Sequence, residues 1–595
     1  MASFSYAMNI TCTVDKAPPT TPLHHLTSSL SSTLKPLLKE VKQLPLKFQV
    51  TESIKGAYNT MLEAFMDSTF KFVDTPGELI RANYAPVDEI GEAVVLSDIE
   101  GEVPKDFPEG VYLRNGPNFR YPNKLATESI FGRTSFNIFQ ADGMLHATFF
   151  GRGDDGEWKL SYKNRYVEAD TYLIEKERNR PLFLPSIEGE PRALMVAILL
   201  NMFRFGKVNK DYNNTNVFEH AGKVYTVSEN HLPYEVDTSD LKTGKIWDIN
   251  GWDQPFNSHP KKAPRTGEMV MMGVNILKPY YVVGVISADG QRLLHKVDVK
   301  LERPTLAHEM GVTENYNIIL DYPNRFGLGR LIANKQFIGY ERGEGERSKI
   351  GVMPRYGDSD SIKWFNVKNH CSFHIINSFE DGDEVIVRVC RTSGSIISGP
   401  PNHRVNAGEW YRRAYLQPNE DSEGFDPSVD GVIFSRPFEW RLNMRTGEVV
   451  KEGHLTRNDI AMDFPVVNYR FMGLKNKFAY AQVVDSTRSS NMGLPVFKML
   501  AKLYFDERDE ENKDVMKVEY HKLEENHYCS GVHFVERPGG VDEDDGWLIS
   551  YIHDEKENVS KVYIVDAKKF TESPIAKITL PHRVPYGFHG TYVCK

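Results

Sequence analysis

Glu384-Val-Ile-Val-Arg-Val-Cys390, entered from the turn pair Asp381-Gly382, reads as a strand that starts at a tight hairpin. β-Branched residues dominate the run, and neither Pro nor Gly interrupts it. Working outward, the same texture recurs in Gly222-Lys-Val-Tyr-Thr-Val-Ser228, Tyr280-Tyr-Val-Val-Gly-Val-Ile286, Asn317-Ile-Ile-Leu320 and Trp547-Leu-Ile-Ser-Tyr-Ile552. Strand-like runs extend from about Tyr84 almost to Cys594. Asp289-Gly290 and Asp430-Gly431 also suit tight hairpins, while Lys242-Thr-Gly244, Arg265-Thr-Gly267 and Arg445-Thr-Gly447 form a recurring turn. The chain is therefore all-β dominated. So many short antiparallel strands need protected edges, which radial repetition in a propeller supplies; two stacked sandwiches are the alternative.

A length of 595 residues fits either several domains or one large repetitive architecture around a shared core. With 40% apolar and 26% charged residues, and 44 Gly and 33 Pro spread along the chain, collagen-like, low-complexity and disulfide-scaffold classes are excluded. A net charge of −9 repels a phosphate backbone, and no basic stripe alternates with aromatics, so the sequence points to no nucleic-acid partner. Five dispersed cysteines (Cys12, Cys371, Cys390, Cys529, Cys594), never spaced as C-x-x-C, read as reduced thiols. Any metal then falls to His or carboxylate.

Residues 1–50 read as a leader. The first 39 are rich in Ser and Thr, carry one acid (Asp15) and lack a secretory apolar core, as in an organelle transit segment, although no Arg precedes Arg81; a disordered leader is the alternative. Leu26, Leu30, Leu34, Leu37, Leu38 and Val41 line one helical face with a kink at Pro36. Residues 51–82 form a second helical extension through Ile54, Tyr58, Met61, Leu62, Phe65 and Met66. Residues 83–595 make up the main body. No apolar run reaches the roughly 20 residues of a membrane-spanning helix. Within an insertion at about 180–210, Arg192 to Gly206 is helix-like and apolar nearly all round with basic margins. It is either a buried helix or one half-sunk in lipid through Leu194, Met195, Ile198, Leu199 and Phe203.

Of 18 histidines, four occupy similar settings in or at the end of strand-like runs: His259, His308, His374 and His589. They are far too dispersed for a zinc finger or an H-E-x-x-H helix. A propeller brings such distant residues to one axis, whereas ordinary polar strand residues would be equally dispersed. His370, four before His374, reads as a neighbour on the same strand face. Phe373 and Phe588 precede histidines, so strand alternation turns them toward packing. Gly343-Glu-Gly345 lacks the context of a phosphate loop.

Several strings in fixed order make the chain resemble the plant carotenoid cleavage oxygenases from Asn83 to the C-terminus: Asn83-Tyr-Ala-Pro-Val87, Gly110-Val-Tyr-Leu-Arg-Asn-Gly-Pro-Asn118, Asp142-Gly-Met-Leu-His146, Ser258-His-Pro260, Arg303-Pro-Thr-Leu-Ala-His308, Phe373-His374, Asp463-Phe-Pro465, Glu543-Asp-Asp-Gly546 and Leu580-Pro-His-Arg-Val-Pro-Tyr-Gly-Phe-His589. The resemblance implies a seven-bladed β-propeller with a helical cap and one Fe(II) per chain, to which the periodicity adds the N-terminal amphipathic helices. It implies His259, His308, His374 and His589 as the iron ligands, with His146 and His582 in family motifs but not at ligand positions. Of the family's three carboxylates behind the imidazoles, Glu229 and Asp463 match two, the latter as a shorter acid. The third position falls on Gly531 in Tyr528-Cys-Ser-Gly-Val-His-Phe-Val535, a departure that a water, Glu525 or His533 would have to fill.

The implied activity is dioxygenase cleavage of a conjugated double bond in a carotenoid or apocarotenoid, with O2 as cosubstrate and two carbonyl products. Four neutral imidazoles leave open iron positions for dioxygen, and an apolar tunnel selects the bond by depth. The departures at Gly531 and around Cys529 suggest a side branch like the zaxinone synthase type, which shortens apocarotenals. A polyene-binding propeller without turnover, or a stilbene-cleaving relative, are the other readings. Insoluble polyenes imply monotopic contact with a membrane surface, and the leader implies a plastid, with the cytoplasm as the alternative.

Overall fold

The computed structural model describes residues 52–74, 82–343, 345–397, 399 and 407–595. The amphipathic pattern from Leu26 to Val41 lies outside the described residues. The chain divides at Ala64 and Phe65, within the helix Glu52–Thr69, into two compact units, and the larger, Phe65–Lys595, carries every strand.

That unit is a succession of antiparallel meanders. The first sheet runs Val94–Leu96, Trp158–Tyr166, Gly143–Arg152, Gly110–Pro117, Gly590–Cys594. Asn216–His220 to Thr243–Ile246 form the second, and Lys261–Lys262 to Leu293–Asp298 the third. The fourth runs Gly311–Val312, Tyr316–Asp321, Ser348–Pro354, Lys363–Val367, and the fifth from Ile375–Asp381 to Val449–His454. A nine-stranded sheet follows, in which two meanders, Met462–Val466 to Met516–Lys522 and His527–Glu536 to Ala576–Thr579, meet at the single pair Phe497–Cys529.

Burial explains why so many runs are apolar throughout instead of alternating. Met269–Val274 and Tyr281–Ile286 are buried at every residue, because a neighbouring sheet covers each face, whereas the outer strand Leu293–Asp298 is largely open to solvent. The main apolar clusters lie between one meander and the next. Leu145 of the first meets Val224 of the second, and Tyr225 of the second meets Met271 of the third. Val283 meets Ile319, Ile350 meets Val387, and Ile376 meets Ala479. Tyr480 joins the two meanders of the large sheet through Phe534, and Trp547 returns to Tyr112 of the first sheet. Early and late strands pair with each other: Ile99–Gly101 with Ala576–Thr579, and Gly110–Pro117 with Gly590–Cys594.

The turn signals divide. Asp381 pairs with Glu384 across a two-residue loop, as its sequence predicts. Asp430-Gly431, expected as a tight hairpin, instead lies near the end of the long insertion, with the helix Ala407–Ala414, that connects the paired strands Glu384–Arg391 and Arg436–Asn443. Of the three expected Thr-Gly turns, those at Gly267 and Gly447 connect antiparallel strands with the glycine at positive φ, whereas Thr243 and Gly244 already belong to the strand Thr243–Ile246 and the turn precedes them.

The helix predicted at Arg192–Gly206 is Pro191–Phe205, with Gly206 as its left-handed C-cap. Leu194 and Ile198, expected at the lipid boundary, are 0% and 1% exposed. They pack on Leu331, Phe337 and Ile338 instead, because the short helix Leu328–Ile332 lies alongside. Met195, Leu199 and Phe203 keep partly exposed faces. No described helix is long and apolar enough to cross a membrane. Cys371, Cys390, Cys529 and Cys594 are all free thiols.

Candidate metal centre

The four histidines come together. One ring nitrogen from each of His259, His308, His374 and His589 lies within 4.8 Å of the other three. The reason is topological. His374 and His589 immediately precede Ile375–Asp381 and Gly590–Cys594, and His259 and His308 lie two and three residues before Lys261–Lys262 and Gly311–Val312. Each of these strands is the terminal member of its sheet. Four sheets thus deliver their leading inner ends to one place.

Nδ1 of His308 contacts Glu229 at 2.5 Å, and Nδ1 of His374 contacts Asp463 at 2.6 Å. A carboxylate holding Nδ1–H leaves the Nε2 lone pair facing the centre. Nε2 of His259 and His308 are 3.1 Å apart, and buried Nε2 of His374 has no protein partner. Burial, then the neighbouring imidazoles, holds His259 and His589 far below the usual histidine range, so both are neutral near pH 7. Burial also lowers His308, but adjacent Glu229 outweighs it and the net shift is upward. Burial opposes the charge of Glu229 in turn, and His308 more than offsets this, keeping its carboxyl below the ordinary range. Convergent imidazole nitrogens fit a divalent transition metal: metal–imidazole bonds of about 2.0–2.1 Å place ligand nitrogens within roughly 4 Å of each other.

Position 531, where the resemblance puts the third carboxylate, is a glycine. Gly531 sits at an irregularity of the strand His527–Glu536 with φ of 73°, and a Cβ there would lie 2.3 Å from Cγ of the fully buried Arg114. Neither sequence candidate replaces it. Glu525 is exposed in the turn before that strand. His533 is buried, which pushes it down to about 4, and it bonds the backbone of Gly590 and stacks on Tyr469, beside the ligand residue but not on its ring.

His370 packs on Trp440 away from the cluster, with Nδ1 on the Lys368 carbonyl, and His146 bonds Tyr162. His582 also lies apart, its Nδ1 on the Arg583 carbonyl. Phe373 and Phe588, expected to turn toward packing, instead line the cavity beside the histidines, because both lie ahead of the strands and alternation has not begun. Phe464 escaped the sequence reading. Its backbone is left-handed (φ 53°), and its ring covers both His374 (4.6 Å) and His589 (4.7 Å). A bulky residue held in that conformation is strained, and such strain gathers at functional sites. Its one sequence signal is adjacency to Asp463. The Cys390 thiol, pushed up by burial and then by nearby carboxylates, bonds Asp463 from behind.

The cluster opens on a cavity of about 350 Å³ lined by apolar side chains such as Phe139, Ile276, Leu306, Phe326, Phe337 and Val484. Its volume is that of a small-molecule site. Fold and site together define a chain dominated by antiparallel sheets, with a cluster of four histidines that could hold a metal facing an apolar cavity. The profile of the Retinal pigment epithelial membrane protein family matches residues 84–594, and the chain belongs to that family. A "Carotenoid 9,10(9',10')-cleavage dioxygenase 1" of Pisum sativum is 29% identical over 577 residues, covering 94% of this chain and 96% of that one. Among solved structures, the lignostilbene dioxygenase of Pseudomonas brassicacearum superposes with a TM-score of 0.68 at 22% identity, covering 88% of this chain and 100% of that one. A mutant of the Synechocystis apocarotenoid oxygenase gives 0.66 at 20% identity, covering 86% and 98%. The last two likenesses speak for the fold.

Proposed function

We propose that the chain is an iron(II)-dependent dioxygenase, one iron per chain, that cleaves a conjugated C=C bond of a carotenoid or apocarotenoid. The observation that carries this reading is the convergence of four imidazole nitrogens at the wall of an apolar cavity. The relative in Pisum sativum supports it. One C=C bond and one O2 become two C=O bonds, so no external electron donor is needed. His259, His308, His374 and His589 would hold the iron, which supplies the redox centre for dioxygen.

The protein's own share is positioning. Glu229 and Asp463 orient two imidazoles, and among the residues lining the cavity they are the only carboxylates. The cavity walls bind a polyene by burial alone, at about 25 cal/mol per Å² of apolar surface, and exclude water from the reacting bond. Phe464 and Phe373, against the ligand rings, bound the volume in which a double bond rests.

The ring of sheets and its helical insertions read as a seven-bladed propeller with a cap, each four-strand meander being one blade. We assign residues 1–50 as a plastid-directing leader. The side bearing Pro191–Phe205 faces a membrane monotopically: Ile130 and Ile332 near that helix are 84% and 73% exposed, and Leu194 and Ile198 pack behind the cavity wall. Ile130→Glu combined with Ile332→Glu is expected to weaken co-sedimentation with liposomes while sparing activity on detergent-solubilised substrate. Unchanged sedimentation would remove that face from the membrane.

The deciding experiment loads iron anaerobically, admits ¹⁸O2, and analyses products from an intact carotenoid, a long-chain apocarotenal and a stilbene by mass spectrometry. Two labelled carbonyl products from a polyene are expected. Tight polyene binding without iron or product would make the chain a carrier, and turnover of the stilbene alone would move it to phenylpropanoid chemistry.

A further inference from the structure

One carboxylate outside the imidazole contacts touches three of the four ligand segments. Glu309 directly follows His308, and its side chain is 3% exposed. Its Oε2 accepts the backbone N–H of Ile375 at 2.7 Å, and Ile375 directly follows His374. Its Oε1 is ion-paired with Nζ of Lys261, two residues beyond His259, and the backbones of His259 and Glu309 form a parallel bridge. Three chain segments from three different sheets are therefore tied to one buried carboxylate, each within two residues of an imidazole. The fourth is held otherwise: the backbone of Asn115 bonds both Phe588 and His589, while Arg114 packs against Gly587.

We propose that Glu309, paired with Lys261, is a positioning residue that sets the spacing of His259, His308 and His374. In this chain it supplies the carboxylate bracing that position 531, a glycine, does not. The proposal rests on the reading of the four histidines as a metal centre. A charge-assisted bond to a backbone N–H is short and directional, and a buried ion pair tolerates loss of neither partner. An exposed ion pair would fix nothing comparable, because water would screen it. Fixing the chain within two residues of each ring matters because ligand geometry is lost with displacements of well under an ångström.

The test uses full-length protein and the variants Glu309→Ala, Glu309→Gln and Lys261→Met. Glu309→Gln keeps an acceptor for Ile375 but strands the Lys261 charge, so it carries the test if the alanine variant does not fold. Iron release to a chelator is expected to accelerate by about 10–100-fold in Glu309→Ala, less in Glu309→Gln. X-ray absorption at the iron edge should report fewer or more scattered nitrogen ligands. A merely structural ion pair would lower thermal stability without altering that ligand shell, so an unchanged shell and release rate overturn the proposal. A second arm needs no metal: hydrogen exchange at the Ile375 amide of the iron-free protein should quicken in Glu309→Ala. Wild-type protein that holds no iron while that amide responds would sink the metal reading and leave the brace standing; an amide that does not respond overturns the brace itself.

Discussion

His259→Ala, His308→Ala, His374→Ala and His589→Ala, made singly, are each expected to remove most bound iron and reduce polyene cleavage below detection while the protein stays folded. Loss of one of four ligands opens the shell and frees the remaining imidazoles. The fold does not depend on the metal, because the sheets are held by apolar clusters and by strand pairs that join segments near residue 100 to the last strands. That separates this chain from zinc fingers, which unfold without their metal. Chelation of the wild type should likewise leave the far-UV circular dichroism unchanged. Glu229→Gln and Asp463→Asn, which keep the shape but weaken the hold on Nδ1–H, should lose about 10–100-fold in metal affinity or activity. Unfolding of the metal-free wild type, or full iron retention by any of the four alanine variants, would contradict this account.

Gly531→Glu, which would place a carboxylate where the resemblance implies one, is expected to destabilise the protein severely and to restore nothing at the metal centre. The backbone there is left-handed, which a non-glycine residue adopts at about 1–2 kcal/mol. The Cβ would also lie 2.3 Å and 2.9 Å from Cγ and Cδ of Arg114 and 3.1 Å from the hydroxyl of Tyr112. Forcing that overlap in a packed interior adds about 1–3 kcal/mol. Arg114 has little freedom to yield, because a Cβ at Gly587 would sit 1.5 Å from its Nη1 and one at Gly116 3.0 Å from the same atom. Gly531→Ala should show the strain and part of the clash, and a denaturant titration of wild type and both variants orders them. A Gly531→Glu protein as stable as the wild type, with tighter iron binding, would mean that the pairing around Ser530 and His533 differs from that described.

How much of this was readable beforehand depends on the range of the forces involved. The runs at Lys223–Val227, Tyr281–Ile286 and Glu384–Arg391 are local matters of β-branching and turn chemistry, and they lie where their sequences place them within a residue or so. Asp381-Gly382 makes its hairpin for the same reason, but Asp430-Gly431 does not, since the segments flanking it pack in an insertion and not on each other. Arg192 to Gly206 has the composition of a helix and became one. Which face it buries was set by Leu331 and Phe337, more than a hundred residues away, and so Ile198 turned inward.

The sequence by itself determined the strand texture and the four histidines as a candidate set, because each rests on residue type in a short context; Glu229 and Asp463 as their partners were implied only by the resemblance that an ordered series of motifs carries. Only the tertiary structure decided that four imidazole nitrogens lie within 4.8 Å, that Phe464 covers two of the rings, and that Glu309 reaches Ile375 and Lys261. It also decided that Gly531 answers to Arg114 across more than four hundred residues. The physical reason is that contact between sheets follows from which faces stack and in what register, a property of the packed sheets together and of no single stretch of chain.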